Sequence, residues 1–179
     1  FIICYTLVQF LVYLSYKKST STPLSNQLHT YPKVTIQLPI YNEKYVVERL
    51  ITHVCNLKYP KDKLHIQVLD DSTDNTKQII DTIVEEKKKS GYVIDVFRRK
   101  SRKGFKAGAL HRGLEHTDAE FIAIFDADFL PHAHFLLETL PHFDNPSVGV
   151  VQSRWGHINA SDSLLTQMQA FHLNVHFVV

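Results

Sequence analysis

The sequence predicts an α/β domain built on a mainly parallel sheet with helices on both faces, preceded by a truncated transmembrane helix. Three observations carry that expectation. Apolar runs of strand length recur at 34–40, 64–70, 92–97 and 121–125. Stripes of helical spacing separate them, which implies right-handed crossovers and parallel pairing. The loops that follow the runs hold acids, lysines and glycines suited to a ligand at the carboxyl edge of such a sheet.

The first segment, Phe1 to Tyr16 (FIICYTLVQFLVYLSY), is apolar and uncharged. As a helix it covers roughly 24 Å of the ~30 Å hydrocarbon layer, so the expectation is a membrane helix whose start is cut off. A signal peptide would need a basic n-region and a small-residue cleavage site, and both are missing. Lys17 and Lys18 follow, which by the positive-inside tendency puts the following domain on the cytoplasmic side of an integral membrane protein. Residues 17–32 (KKSTSTPLSNQLHTYP) lack apolar periodicity and are expected to be a linker, leaving 33–179 as the folded domain.

Within that domain VTIQLPI (34–40) is expected as the first strand, and Val46, Val47, Leu50, Ile51, Val54 and Cys55 share one helical face. LHIQVLD (64–70) is the second strand, STDN (72–75) supplies cap residues, and Ile79, Ile80, Ile83 and Val84 form the next apolar stripe. YVIDVF (92–97) is a third strand, KAGALHRGLEH (106–116) a helix, and FIAIF (121–125) a fourth strand buried on both faces. A short helix around His134 to Leu140, a strand VGVVQSRW (148–155) and a helical segment from Ser163 to Val179 complete the pattern. That last segment is apolar nearly all round toward its end, as a core helix or a helix lying against a membrane would be. The chain stops inside it, so truncation is expected on this side too.

Bulk properties narrow the function classes. Lys and Arg total 20 against 18 Asp and Glu, a net charge of +2 with both signs interspersed, which argues against a nucleic-acid partner. Two cysteines, Cys4 and Cys55, support neither a disulfide framework nor a thiolate metal site.

Four loops carry the chemistry. In FIAIFDAD, Asp126 and Asp128 would stand at the mouth of the sheet, where two carboxylates repel each other unless a cation lies beside them. A hard divalent ion, Mg²⁺ or Mn²⁺, binds through one or two carboxylates and keeps positions for substrate phosphates. In PIYNE, Pro39 keeps the chain extended, Asn42 is a candidate cap and Tyr41 offers a ring suited to a nucleobase or ribose. In DDSTDNT, Asp70 and Asp71 can accept hydrogen bonds from a base or ribose, since Ser72, Thr73 and Asp74 are enough for capping. RRKSRKGFKAG (98–108) holds six basic residues and two glycines before a helix, where Lys106 is the choice for a diphosphate and Arg102 and Lys103 are weaker candidates. Neither a Walker loop nor a G-x-G-x-x-G fingerprint occurs.

Taken in order, PIYNE, DDS, KAG, DAD and VQSRWGHIN (150–159) resemble the family 2 glycosyltransferases of GT-A fold, most closely the membrane-embedded cellulose synthase-like and glucomannan synthase-like branch. The resemblance implies a nucleotide-sugar donor of UDP-glucose or GDP-mannose type, a Mg²⁺ or Mn²⁺ cofactor, and inverting transfer to a growing β-linked polysaccharide acceptor. By position it implies donor contacts from Pro39, Tyr41, Glu43, Asp70, Asp71, Lys106 and Asp126. It places the metal on Asp126 and Asp128, chiefly the second. The alternatives are a non-catalytic nucleotide-binding or scaffold subunit of a polysaccharide synthase, and a sugar nucleotidyltransferase, which PIYNE disfavours because that class carries a glycine-rich first loop.

Two family features are missing. No T-E-D-like tripeptide supplies the general base, which is expected beyond residue 179, and Gln152, Arg154 and Trp155 spell Q-S-R-W rather than Q-x-x-R-W. Trp155 is expected near an acceptor channel or, equally, in a core or interface. His132 and His134 form an H-x-H that lacks an evident third ligand and is taken as an ordinary loop.

Overall fold

The computed structural model describes residues 28, 30–153, 156, 159 and 161–176. The expected membrane helix 1–16 lies outside these residues, as do most of the linker and Arg154 and Trp155. Among the described residues no helix is long and apolar enough to cross a membrane.

Four parallel strands form one sheet in the order β3-β2-β1-β4. They are β1 (Val34–Ile40), β2 (Leu64–Asp70), β3 (Val93–Arg98) and β4 (Phe121–Ile124). The helices between them are α1 (Val47–Cys55), α2 (Thr76–Lys89) and α3 (Phe105–Leu114), followed by α4 (Phe135–Thr139) and α5 (Leu164–His176).

Alternation along β1 and β2 decides which helix covers which face. Val34, Ile36, Leu38 and Ile40 join Leu64, Ile66 and Val68 on one side, where Val47, Leu50, Ile51 and Val54 of α1 and Ile80, Ile83 and Val84 of α2 complete a buried cluster. Full burial of a Leu or Ile side chain is worth about 1.5–3 kcal/mol, so this face supplies most of the driving force. The opposite side is polar although equally buried. Gln37 Nε2 donates to Gln67 Oε1 at 3.0 Å, Gln67 Nε2 donates to the His116 carbonyl at 3.0 Å, and the Thr35 and Thr117 hydroxyls lie 2.6 Å apart. α3 reaches this layer at Gly113, where a Cβ would stand 2.4 Å from Gln37 Nε2. Only glycine lets the helix settle onto a hydrogen-bonded amide pair.

Two expectations need correction. β4 is four residues long and not buried on both faces: Phe121 to Ala123 are half-buried and Ile124 is 48% exposed. It stands at the edge, because among the described residues it pairs only with β1, while α3 packs over β1 and β2. Residues 148–153, expected as a strand, form none: an apolar run becomes a strand only where a ladder satisfies its backbone groups. The last helical segment is present as Leu164–His176, opened by reciprocal contacts of Ser163 and Thr166: Ser163 N donates to Thr166 Oγ1 at 2.9 Å and Thr166 N to Ser163 Oγ at 3.2 Å. At the other end, Leu28 packs against the core, and Tyr59 donates its hydroxyl proton to the Pro32 carbonyl at 2.7 Å.

Candidate active site

The strand order places a topological switch between β1 and β4, where chains leave the sheet in opposite directions and a crevice opens. β4 follows β1 only as far as the pair Gln37 and Ile124, whereas β1 runs on to Ile40. Pro39 therefore lies where the β4 side of β1 has no partner, so its missing N–H costs no ladder bond there. A cavity of about 370 Å³ occupies this mouth, within the usual range for small-ligand sites. Pro39, Ile40, Tyr41, Glu43, Leu69, Asp71, Arg102, Lys106, Ala109 and Asp126 to Asp128 line it.

The acid pair is held by the residues between and before it. Phe125 and Ala127 are buried, and Phe125 N donates to the Gln37 carbonyl at 3.2 Å, which anchors the start of the loop to β1. Asp126 and Asp128 are thereby left on the cavity. Asp126 takes the Lys106 ammonium in an ion pair, while Asp128 is exposed and has no cationic partner among the described residues.

The first two loops are tied together. Asn42 adopts a left-handed backbone, with φ of 58°, and does not cap α1 as expected. Its side-chain Oδ1 instead accepts the Thr73 N–H at 2.8 Å, and its own N–H donates to Ser72 Oγ at 3.0 Å. Ser72 and Thr73 are thus spent on the Tyr41 loop, and Asp74 serves α2 by accepting from Thr76 N at 3.0 Å. The Thr76 side chain and backbone N–H beside it hold the Asp74 carboxyl below its ordinary value.

Asp70 and Asp71 part company. Asp70 does not line the cavity; its buried carboxylate accepts from Arg98 Nε at 2.7 Å and from Ser72 N at 2.9 Å. The parallel register pairs Asp70 with Arg98, and a one-residue step turns Asp71 the other way, toward the cavity. Asp71 is gripped by Arg99, whose Nε donates to Oδ1 at 3.0 Å and whose Nη2 donates to Oδ2. The same guanidinium donates to the carbonyls of Lys103 and Phe105, each at 3.0 Å. Arg99 thus fixes the basic loop onto the end of β2. Hydrogen bonding to Asp71 keeps its guanidinium firmly charged.

That loop turns into α3 through Gly104, at φ of 75°, and Phe105, at φ of 48°. Gly108 makes the turn possible, because a Cβ there would lie 2.2 Å from the Lys103 carbonyl oxygen. The K-A-G triplet therefore has a steric cause, which aims Lys106 at Asp126. Arg102 lays its guanidinium over the Tyr41 ring, 3.3 Å from the centroid, and 5.3 Å from that of Phe105. Its Nε is buried without a hydrogen-bond partner and stands 3.8 Å from Asp71 Oδ2.

Of the residues expected to meet the donor or metal, Pro39, Tyr41, Glu43, Asp71, Lys106, Asp126 and Asp128 share one cavity and Asp70 stands behind it. Arg98 and Arg99 carry roles that residue type alone did not disclose. Their signal was register, since Asp70 and Arg98 end paired strands and Asp71 and Arg99 follow them directly.

A divalent ion fits this donor set. Both acids offer hard oxygen ligands, and Asp128 is unspent. Glu43 and Asp128 are without cationic partners among the described residues, and Lys106 is already paired with Asp126, so a diphosphate entering alone would meet two unneutralised carboxylates. Two unit charges 4 Å apart repel by about 4 kcal/mol at an effective dielectric constant of about 20, enough to require an added cation.

Comparison with known proteins follows the same line. The family model described as glycosyl transferase family 2 matches residues 35–177. The chain is 48% identical over 154 residues to a probable glucomannan 4-beta-mannosyltransferase 7 of Oryza sativa subsp. japonica, covering 83% of this chain and 26% of that protein. It is 43% identical to glucomannan 4-beta-mannosyltransferase 1 of Cyamopsis tetragonoloba, over 83% of this chain and 29% of that protein. The chain thus spans about a quarter of the length of the curated relatives it matches. Among solved structures it resembles the mannosyltransferase PcManGT of Pyrobaculum calidifontis in complex with GDP-Man and Mn²⁺, with a TM-score of 0.70 and 28% identity, over 85% of this chain and 46% of that one. S. aureus TarS 1-349, at 22% identity and a TM-score of 0.55 over 70% of this chain and 38% of that one, shares the fold.

Proposed function

The chain belongs to glycosyl transferase family 2, and from that premise we propose that it forms the donor-binding part of a metal-dependent, inverting mannosyltransferase that moves mannose from GDP-mannose to a growing β-linked polysaccharide. The observation that carries the reading is the convergence of Tyr41, Asp71, Lys106, Asp126 and Asp128 on one cavity at the switch between β1 and β4. The choice of GDP-mannose rests on the names of the relatives and on the donor bound to PcManGT.

In this reading Tyr41 and Arg102, already stacked, offer flat and cationic surfaces to the nucleoside, and Glu43 and Asp71 accept its hydroxyl or amino protons. Lys106 leaves Asp126 in part to meet the diphosphate. Asp128, with Asp126, holds the Mn²⁺ or Mg²⁺, which when bound stabilises negative charge on the departing nucleoside diphosphate as a Lewis acid. Asp70, bound to Arg98 and Ser72, keeps the end of β2 in place behind the site. The general base for the acceptor hydroxyl is proposed to lie outside these 179 residues, because no T-E-D-like tripeptide occurs in them. The apolar segment 1–16 followed by Lys17 and Lys18 supports an integral membrane protein with this domain on the cytoplasmic side.

The test is Asp128→Ala in the full-length protein. Mannose transfer from GDP-mannose should fall by at least about a hundredfold, the scale of losing one preorganised charge-stabilising group, while the exposed site leaves folding intact. Unchanged transfer together with lost assembly would instead assign the chain a scaffold role.

A further inference from the structure

A cluster of possible metal ligands, of different chemistry from Asp126 and Asp128, lies four residues past that acid pair. The sequence offers only an H-x-H, and the fold adds the third donor. His134 precedes α4 and Glu138 lies one turn into it, with Glu138 N donating to the His134 carbonyl at 3.0 Å, so the two share a helix face. His132 approaches from the preceding loop: Phe135 N donates to its carbonyl at 3.0 Å, and its ring packs edge-on against Phe135 at 6.1 Å. Phe135 in turn packs edge-on against the buried Phe125 at 4.9 Å. Ligand atoms of the three residues lie within 4.8 Å of one another, and they form the one such group among the described residues.

We propose that His132, His134 and Glu138 bind a single borderline divalent ion of the Zn²⁺ kind, with the fourth position open to water or a second molecule. Tetrahedral bonds of 2.0–2.1 Å set neighbouring ligand atoms about 3.3 Å apart, and His132 Nε2 stands 3.4 Å from Glu138 Oε2. Two imidazoles and one carboxylate suit Zn²⁺ or Co²⁺ and disfavour Mg²⁺ and Mn²⁺, the reverse of the all-oxygen pair Asp126 and Asp128. All three ligands come from seven consecutive residues, so bringing them together closes only a short loop. The bound ion would clip the loop after Asp128 to α4. The site stands independently of any transfer activity. The rival account is an exposed His132–Glu138 ion pair, which contributes little and needs no metal.

The experiment titrates the full chain, purified in detergent without a histidine tag and stripped with chelator, with Co²⁺ and then Zn²⁺. One Co²⁺ should bind with the intense visible band of four-coordinate cobalt, and Zn²⁺ but not excess Mn²⁺ should bleach it. Asp126→Asn/Asp128→Asn should keep the band. His132→Gln and Glu138→Gln, exposed and shape-conserving changes, should each weaken Zn²⁺ by more than about tenfold, as loss of one of three ligands requires. Chelation should lower the thermal midpoint of the parent and leave that of His132→Gln unmoved. Absence of the band in the parent, its survival in His132→Gln, or its loss in the Asp126→Asn/Asp128→Asn chain would overturn the proposal.

Discussion

Asp126 and Asp128 belong to one loop but meet different surroundings, and the difference follows from a single lysine. Lys106 neutralises Asp126 and leaves Asp128 to the cavity, so the pair presents one committed and one open carboxylate. That Asp126 and Asp128 would stand at the mouth of the sheet was legible from the apolar run before them. The separation of Asp70 from Asp71 was not, since it depends on the register that sets Arg98 beside Asp70 and leaves Asp71 to Arg99. Asn42 was read as a cap for the same reason: its partners Ser72 and Thr73 are thirty residues away. Gly108 gives a prediction at this scale. Gly108→Ala places a methyl 2.2 Å from the Lys103 carbonyl oxygen and 2.6 Å from Arg99 Nη1, so the basic loop must shift. Overpacking of this kind costs about 1–3 kcal/mol. Donor affinity measured by calorimetry should drop about tenfold or more, and the thermal midpoint should fall; an unchanged affinity would separate the K-A-G triplet from the site.

At the scale of elements, strands and helices were legible wherever periodicity and burial agree. β1 and β2, buried on both faces among the described residues, and α1, with one apolar stripe, match their expected spans within two residues. Agreement failed where a partner was needed: residues 148–153 have strand composition without a ladder. The polar layer under α3 was also unforeseen, because Gln37 and Gln67 look like solvent-facing positions until Gly113 brings a helix over them. At the other edge, Asp95 of β3 joins three elements: it accepts from Lys88 of α2 at 3.2 Å and lies 3.1 Å from His65 Nε2 of β2. Burial raises its carboxyl, but the hydrogen bonds from Lys88 and His65 outweigh that and hold it below the ordinary range. A depressed folded value means the stabilisation is present above the unfolded value and is lost as pH falls through the folded one. Asp95 is about half exposed, so the contribution is on the order of 0.5–1 kcal/mol. Asp95→Asn should lower the thermal midpoint by about 1–4 °C at pH 7, and the two melting curves should converge in strong acid. A gap that persists unchanged there would place the effect in packing rather than charge.

For the molecule as a whole, function comes from where the strand order reverses. β1 to β3 progress one way, β4 returns to the other side of β1, and the loops that carry chemistry open onto the resulting crevice. Alternating strands and helices disclosed that architecture in advance, and the ordered set of short motifs disclosed the family. Neither disclosed which cations the acids already hold, because Arg99 and Lys106 reach their partners through the fold. The central claim is that the cavity accepts a nucleoside diphosphate only together with a divalent ion on Asp126 and Asp128. Thermal shift of the chain with GDP, with and without Mn²⁺, tests it most directly. At a hundredfold excess over Kd the ligand should add about 2.7 kcal/mol, a rise of roughly 5–10 °C, when Mn²⁺ is present, with little change when it is absent and none in Asp128→Asn. An equal rise without Mn²⁺, or an undiminished rise in Asp128→Asn, would contradict the account.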